Sequence, residues 1–268
     1  MDGDGRVSVV RLATGVTLRY EEFGDPAGTP IVMLHAWGES RRCFDRLVPL
    51  LPRSIRALTL DQRGHGDAES PPTGYALSDF AGDVVAFLDE VGLAAAVLVG
   101  SSSGGYVAQR VAADSAARVS GLVLLGAPRS LLGRPPFADD VDRLADPVDR
   151  GWVRDSLDWF PRYQDVPAGY LEDRVDDGVR VRARVWRETF NGLITASPPT
   201  ESGRITAPTL VIWGERDELL PRADQEALAA AAPRGRLVVY ADTGHLVLWE
   251  QPTRIAADLV DFLTHTLG

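Results

Sequence analysis

Apolar residues arrive along this chain in two rhythms. Residues 6–23 alternate, with Val7, Val9 and Leu12 on one side of Thr14-Gly15 and Val16, Leu18 and Tyr20 on the other, and this pattern predicts an antiparallel hairpin. A continuous apolar run follows at Ile31-Val32-Met33-Leu34 and another at 94–99, with mostly apolar strand-length segments at 55–60, 119–125, 209–213 and Leu237-Val238-Val239-Tyr240. Such runs fit strands buried on both faces, as in a parallel sheet. Between them the spacing becomes helical, over 44–51, 77–91, 106–112, 221–232 and 252–267. In the second of these Phe80, Val84, Phe87, Leu88 and Val91 share a face, and Ser78 is the predicted N-cap. Strand alternating with helix predicts a mostly parallel central sheet with crossover helices on its flanks. The alternation stops after Arg129, and 130–203 is rich in Asp, Arg, Pro and Trp, with helical patterns and no strong strand. The predicted organisation is one α/β core, 1–129 and 204–268, with a helical cap at 130–203 inserted after the sixth strand.

Composition trims the list of functions. The chain has 268 residues, 45% hydrophobic and 25% charged, enough for a sizeable core. A net charge of −10 disfavours nucleic acid and anionic membrane as partners. All 28 cationic residues are arginine, so Schiff-base and P-loop lysine chemistry are excluded. Cys43 is the single cysteine and has no partner for a disulfide or a thiolate metal site. The start, Met1-Asp2-Gly3-Asp4-Gly5, is polar, and no apolar stretch is long enough to span a bilayer, so a cytoplasmic location is expected.

Chemistry concentrates where the 94–99 strand meets Gly100-Ser101-Ser102-Ser103-Gly104-Gly105 and then a helix. Strand, sharp turn, helix is the setting of a nucleophile elbow, with Ser102 at its tip. The small Gly100 and Gly104 let the turn form, and Gly105 lets the helix lie against the sheet. A serine hydroxyl needs a base to take its proton and a third group to orient that base. Among four histidines, His245 follows the last strand in Asp242-Thr243-Gly244-His245. His35 and His65 sit in strand-end turns, and His265 lies near the C-terminus in a solvated position. The candidate acid is Asp217, just past the 209–213 strand, with Glu215 and Glu218 as neighbouring alternatives. Donors for an oxyanion would be the backbone N–H groups of Ser103, at the helix start, and Trp37, in His35-Ala36-Trp37-Gly38. That leaves His35 a structural role.

Taken together, His35-Ala36-Trp37-Gly38, Asp61-Gln62-Arg63-Gly64-His65-Gly66-Asp67, the elbow, Pro208 through Asp217 and Gly244-His245 resemble the α/β-hydrolase superfamily. The likeness is to its small single-domain branch of esterases, lactonases, cofactor-free haloperoxidase-type enzymes and carbon–carbon bond hydrolases. The resemblance implies an α/β-hydrolase fold and the chain order serine, acid, histidine, which Ser102, Asp217 and His245 satisfy. Some relatives carry the acid one strand earlier; here that strand ends in Gly126-Ala127-Pro128-Arg129, which favours Asp217. Ala36 stands where the family has glycine, and Ser101 and Ser103 replace bulkier neighbours of the nucleophile. Serine at position 102 disfavours the branch that uses an aspartate nucleophile.

The expected activity is hydrolysis of a carboxylic ester or lactone through an acyl-enzyme on Ser102, without metal or cofactor. The alternatives are carbon–carbon bond cleavage or cofactor-free oxygenation on the His245–Asp217 dyad, and ligand reception without catalysis. The partner expected is a small molecule, bound by a monomer or homodimer. Aromatics of 130–203, among them Trp152, Tyr163 and Tyr170, either hold the cap together or line a pocket. Trp159, Phe160, Trp186 and Phe190, with Trp37 from the core, are the candidates for a pocket that takes a mid-sized apolar or aromatic substrate. The Arg and Asp residues of 139–184 are expected on the solvated outer face.

Overall fold

The computed structural model describes residues 5–202 and 205–266. The boundary drawn at 203/204, the acidic residues 1–4 and position 267 of the last helix lie outside that set. The alternating segment forms the hairpin β1 (Arg6–Arg11) and β2 (Thr17–Phe23), and the apolar runs form β3 (Thr29–Leu34), β4 (Ile55–Leu60), β5 (Ala96–Ser101), β6 (Val119–Leu125), β7 (Thr209–Gly214) and β8 (Gly235–Tyr240). They make one sheet in the order β1-β2-β4-β3-β5-β6-β7-β8. The pairs β1–β2 and β2–β4 are antiparallel, and the remainder are parallel.

Helices α1 (Leu77–Glu90), α2 (Ser103–Asp114), α7 (Arg222–Ala230) and α9 (Pro252–Thr266) flank the sheet. Alternate residues of one strand serve opposite cores. Val32 and Leu34 of β3 pack with Phe87 of α1 and Val111 of α2, whereas Ile31 and Met33 pack with Leu259 and Phe262 of α9. That two-sided burial is why Ile31-Val32-Met33-Leu34 of β3 reads as an unbroken apolar run. After β6 come α3 (Ala138–Asp142), α4 (Arg150–Leu157), α5 (Ala168–Arg180) and α6 (Ala183–Ile194), the cap helices, and α8 (Val247–Glu250) precedes α9.

Two expectations fail locally. Residues 44–51 do not form an α-helix; the chain makes two 3₁₀ turns, Arg41–Phe44 and Val48–Leu50. Pro49 supplies no N–H, so a helix there loses a bond it is too short to spare. Ser78 does not cap α1. The N-cap is Ala76, whose N–H donates to the Asp79 carboxylate at 2.9 Å. A charged acceptor in the first turn replaces the neutral hydroxyl.

Sheet topology fixes where a ligand can sit. β4 lies on one side of β3 and β5 on the other, so the strand order reverses between β3 and β5. Loops leaving adjacent C-terminal strand ends diverge at such a point and leave a crevice. The loop after β3 and the elbow after β5 flank it.

Candidate active site

The elbow is held by backbone crowding. Ser102 has φ 47° and ψ −119°, a conformation that L-residues other than glycine rarely adopt. Its N–H donates to Leu125 O of β6 at 2.9 Å, fixing the turn to the sheet. A side chain on Gly104 would begin 2.2 Å from Leu34 O and 2.5 Å from His35 O, and one on Gly100 would begin 2.4 Å from Gly105. The obstacles are backbone atoms, which cannot swing aside. Gly104→Ala is therefore expected to destabilise the fold by about 3 kcal/mol or more, read from the urea midpoint. A loss under about 1 kcal/mol means α2 lies on β3 with room to spare.

At the tip, Ser102 Oγ lies 3.0 Å from His245 Nε2, and His245 Nδ1 lies 2.9 Å from Asp217 Oδ2. His245 and Asp217 are buried. The other carboxylate oxygen of Asp217, Oδ1, accepts from the N–H groups of Leu219 at 2.9 Å and Leu220 at 3.0 Å. Glu215 and Glu218 are exposed, so among the three acids Asp217 alone meets the imidazole. His265 is exposed as expected, 3.0 Å from Asp261.

Ser103 opens α2, where first-turn N–H groups have no helical partner and face incoming negative charge. The N–H of Trp37 donates at 2.7 Å to the Ser103 hydroxyl oxygen. The expected oxyanion donor is thus satisfied from within the site, an interaction that sequence reasoning did not foresee. The Trp37 ring stacks on Phe190 at 5.3 Å and meets Trp186 edge-on at 4.7 Å, while its Nε1–H donates to Trp186 O at 3.1 Å. Cap helix α6 therefore grips the loop after β3.

Two buried carboxylates absent from the sequence-derived set brace this centre. Glu39 accepts from Ala36 N–H at 3.2 Å and from Trp249 Nε1–H at 2.9 Å, and burial raises its pKa. Glu250 accepts from Gly244 N–H at 2.9 Å and from the cap N–H groups of Tyr163 at 2.8 Å and Gln164 at 3.0 Å. It joins the His245 loop to the cap. An acid closing an apolar run, as in Val247-Leu248-Trp249-Glu250, is the one feature of the sequence by which it could have been found.

A cavity of about 460 Å³ opens on Ser102 and His245. Trp37, Trp159, Phe160, Trp186 and Phe190 all line it. Trp152 does not reach it; it packs against Trp159 and Trp186 and holds the cap together. Both roles foreseen for the cap aromatics are filled, by different residues. The Arg and Asp residues of the cap pair largely on its surface, as Arg150 and Arg154 do with Glu172. Arg174 and Asp177 are exceptions. They form a buried ion pair at 2.8 Å, and Arg174 lies over the Tyr170 ring and lines the cavity.

His35 is structural. Its Nδ1–H donates to Ala36 O at 2.8 Å, and its Nε2 accepts from Gln62 N–H at 3.0 Å. Burial drives His35 down to about 4 from 6.5 and His65 to about 3. Below 6.5 the unfolded chain takes up protons at both positions while the folded chain stays neutral, so stability falls with pH from 6.5 toward those values. Between pH 7 and pH 5, His65→Gln is expected to lose about 2 kcal/mol less stability than wild type in urea unfolding. Equal losses mean His65 is already charged in the fold.

A family model for the "Alpha/beta hydrolase family" matches residues 31–258. The chain is 28% identical to a non-heme haloperoxidase of Rhodococcus erythropolis, over 95% of this chain and 98% of that protein. The structure of an enol-lactonase from Burkholderia xenovorans superposes with a TM-score of 0.83 at 25% identity, covering 96% of this chain and all of the other (100%). An esterase from Exiguobacterium antarcticum shares the fold, with a TM-score of 0.82 at 23% identity over 97% of this chain and 100% of that one. The chain belongs to the α/β-hydrolase family, whose members among its relatives include esterases, lactonases, lipases and haloperoxidases.

Among the described residues no helix is long and apolar enough to cross a membrane, and no group of three or more His, Cys, Asp and Glu is placed to hold a metal ion.

Proposed function

We propose that the protein is a serine hydrolase acting on a carboxylic ester or lactone of mid-sized, largely apolar or aromatic character. The observation that carries this reading is the continuous line from Ser102 Oγ through His245 to Asp217, with steps of 3.0 and 2.9 Å, at the edge of a 460 Å³ cavity. Nε2 takes the Ser102 proton as Oγ bonds to the carbonyl carbon, and Asp217 holds the resulting imidazolium. Charge moves onto the carbonyl oxygen, which displaces the Ser103 hydroxyl from Trp37 N–H and gains Ser103 N–H as its second donor. Collapse breaks the bond to the alcohol, which leaves with the proton from Nε2. Water then attacks the acyl-enzyme, gives its proton to Nε2, and Ser102 is regenerated. The aromatic wall supports an apolar acyl or alcohol part.

The test is a panel of esters, lactones and β-diketones run on wild type and Ser102→Ala in parallel. Ester or lactone turnover that vanishes in the variant supports the reading. β-Diketone cleavage that survives the substitution replaces it with dyad chemistry, and tight binding without turnover or labelling by a serine-reactive phosphonate replaces it with ligand reception.

A further inference from the structure

Two motif histidines take no part in this proton transfer, and one of them faces a second, much smaller space. His65 Nδ1 lies 2.9 Å from Arg63 O. A carbonyl only accepts, so the proton is on Nδ1 and Nε2 is a bare acceptor. Gln62 Nε2 donates to His35 O at 2.7 Å, which fixes the amide and leaves Oε1 as an acceptor. His65 Nε2, Gln62 Oε1 and Thr189 Oγ1 are all buried without a hydrogen-bond partner. Their three residues line one chamber of about 10 Å³ behind the loop after β3, together with Ser103.

Orphaned buried acceptors are costly, and neither the imidazole nor the amide oxygen can supply the other with a proton. Two hydroxyls, those of Thr189 and Ser103, also border the chamber. Ser103 Oγ already accepts from Trp37 N–H, so its own proton remains to be given. The chamber thus offers two acceptors and two donors around a space on the order of one water, about 10 Å³.

We propose that this chamber is a built site for one water molecule, which donates to Gln62 Oε1 and His65 Nε2 and accepts from the Thr189 and Ser103 hydroxyls. The low basicity of buried His65 keeps its Nε2 unprotonated and available as an acceptor. Thr189 lies on cap helix α6 (183–194), so the water ties the cap to the floor of the oxyanion loop. By accepting the Ser103 proton in a hydrogen bond, it keeps that hydroxyl partnered in the chamber when the oxyanion displaces it from Trp37 N–H, so the donor is released at little cost. Thr189 is then a positioning residue for catalysis, acting through Ser103 and Trp37.

Crystal structures of the full chain at about 1.5 Å or better test this for wild type, Thr189→Val and Thr189→Ser, with kcat and KM measured on an ester that wild type hydrolyses. Expected are one well-occupied water within hydrogen-bond distance of all four groups in wild type and Thr189→Ser, and none in Thr189→Val. Valine, which keeps the volume and removes the hydroxyl, lowers kcat about three- to tenfold with KM little changed, and serine restores it. A dry chamber in wild type, a water undisturbed by valine, or equal kcat in the two variants overturns the proposal. Only the kinetic arm rests on the serine-hydrolase reading. Wild-type density decides the site by itself, whether or not an ester is turned over and whether or not Thr189→Val folds.

Discussion

Replacing Ser102 with alanine is expected to lower kcat/KM for an ester or lactone by on the order of 10³-fold or more. The size follows from what the hydroxyl does in the proposed mechanism, where it forms the covalent bond that divides one hard displacement into two easier ones. Neither neighbouring serine replaces it. Ser103 Oγ is held against Trp37 N–H at 2.7 Å, and Ser101 is the last residue of β5, so neither stands at the 3.0 Å from His245 Nε2 that Ser102 keeps. Unfolding does not account for the loss either, because alanine keeps the backbone demand of the turn and removes one oxygen. Ser102→Gly separates the two effects further. At φ 47° and ψ −119° glycine relieves strain on the order of 1 kcal/mol, so this variant is expected to be inactive and to melt above wild type. Thermal melts beside steady-state kinetics check both. Activity within tenfold of wild type in Ser102→Ala moves the nucleophile elsewhere.

Much of this site could be read from the chain because its parts are local. Gly100, Ser102 and Gly104 carry their geometry within one turn, and strand ends of a parallel sheet bring His245 and Asp217 to the same edge. The acid was legible because Asp217 follows a strand directly, where its backbone neighbours at 219 and 220 can hold one oxygen. What escaped depends on contacts between distant segments. Glu39 and Trp249 meet across 210 positions, and Glu250 reaches 86 and 87 residues back to the cap. Arg174 and Asp177 look like any other charges in a segment rich in them; burial came from packing on the 3₁₀ turn at Arg41–Phe44, with Arg174 donating to Arg42 O. The role of the Ser103 side chain was invisible for the same reason, since the group it engages lies 66 residues earlier. At 44–51 the apolar spacing was helical, but spacing alone does not weigh a proline against the few bonds that so short a helix makes.

Asp217→Asn is expected to lower kcat by roughly 10⁴-fold, and the reason is specific to how this carboxylate is held. Oδ1 is engaged by two backbone N–H donors, from Leu219 and Leu220, at 2.9 and 3.0 Å. Those donors need an acceptor, so an asparagine must turn its carbonyl oxygen toward them. Its NH₂ then faces His245 Nδ1, where Oδ2 now sits at 2.9 Å. A donor opposite Nδ1 makes that nitrogen the acceptor and moves the ring proton to Nε2. Nε2 then points a proton at Ser102 Oγ and cannot take one. The imidazole stays in place with its polarity reversed, so binding survives while turnover fails. Raising the pH does not restore the rate, because the defect is the tautomer and not the degree of protonation. Asp217→Ala removes the carbonyl and the amide together and leaves the ring free to choose its tautomer, so it is expected to retain more activity than the asparagine variant. Single-turnover acylation rates across pH 6 to 9 for the two variants test the argument. An asparagine variant that acylates within tenfold of wild type, or faster than the alanine variant, shows that Asp217 does not set the tautomer of His245.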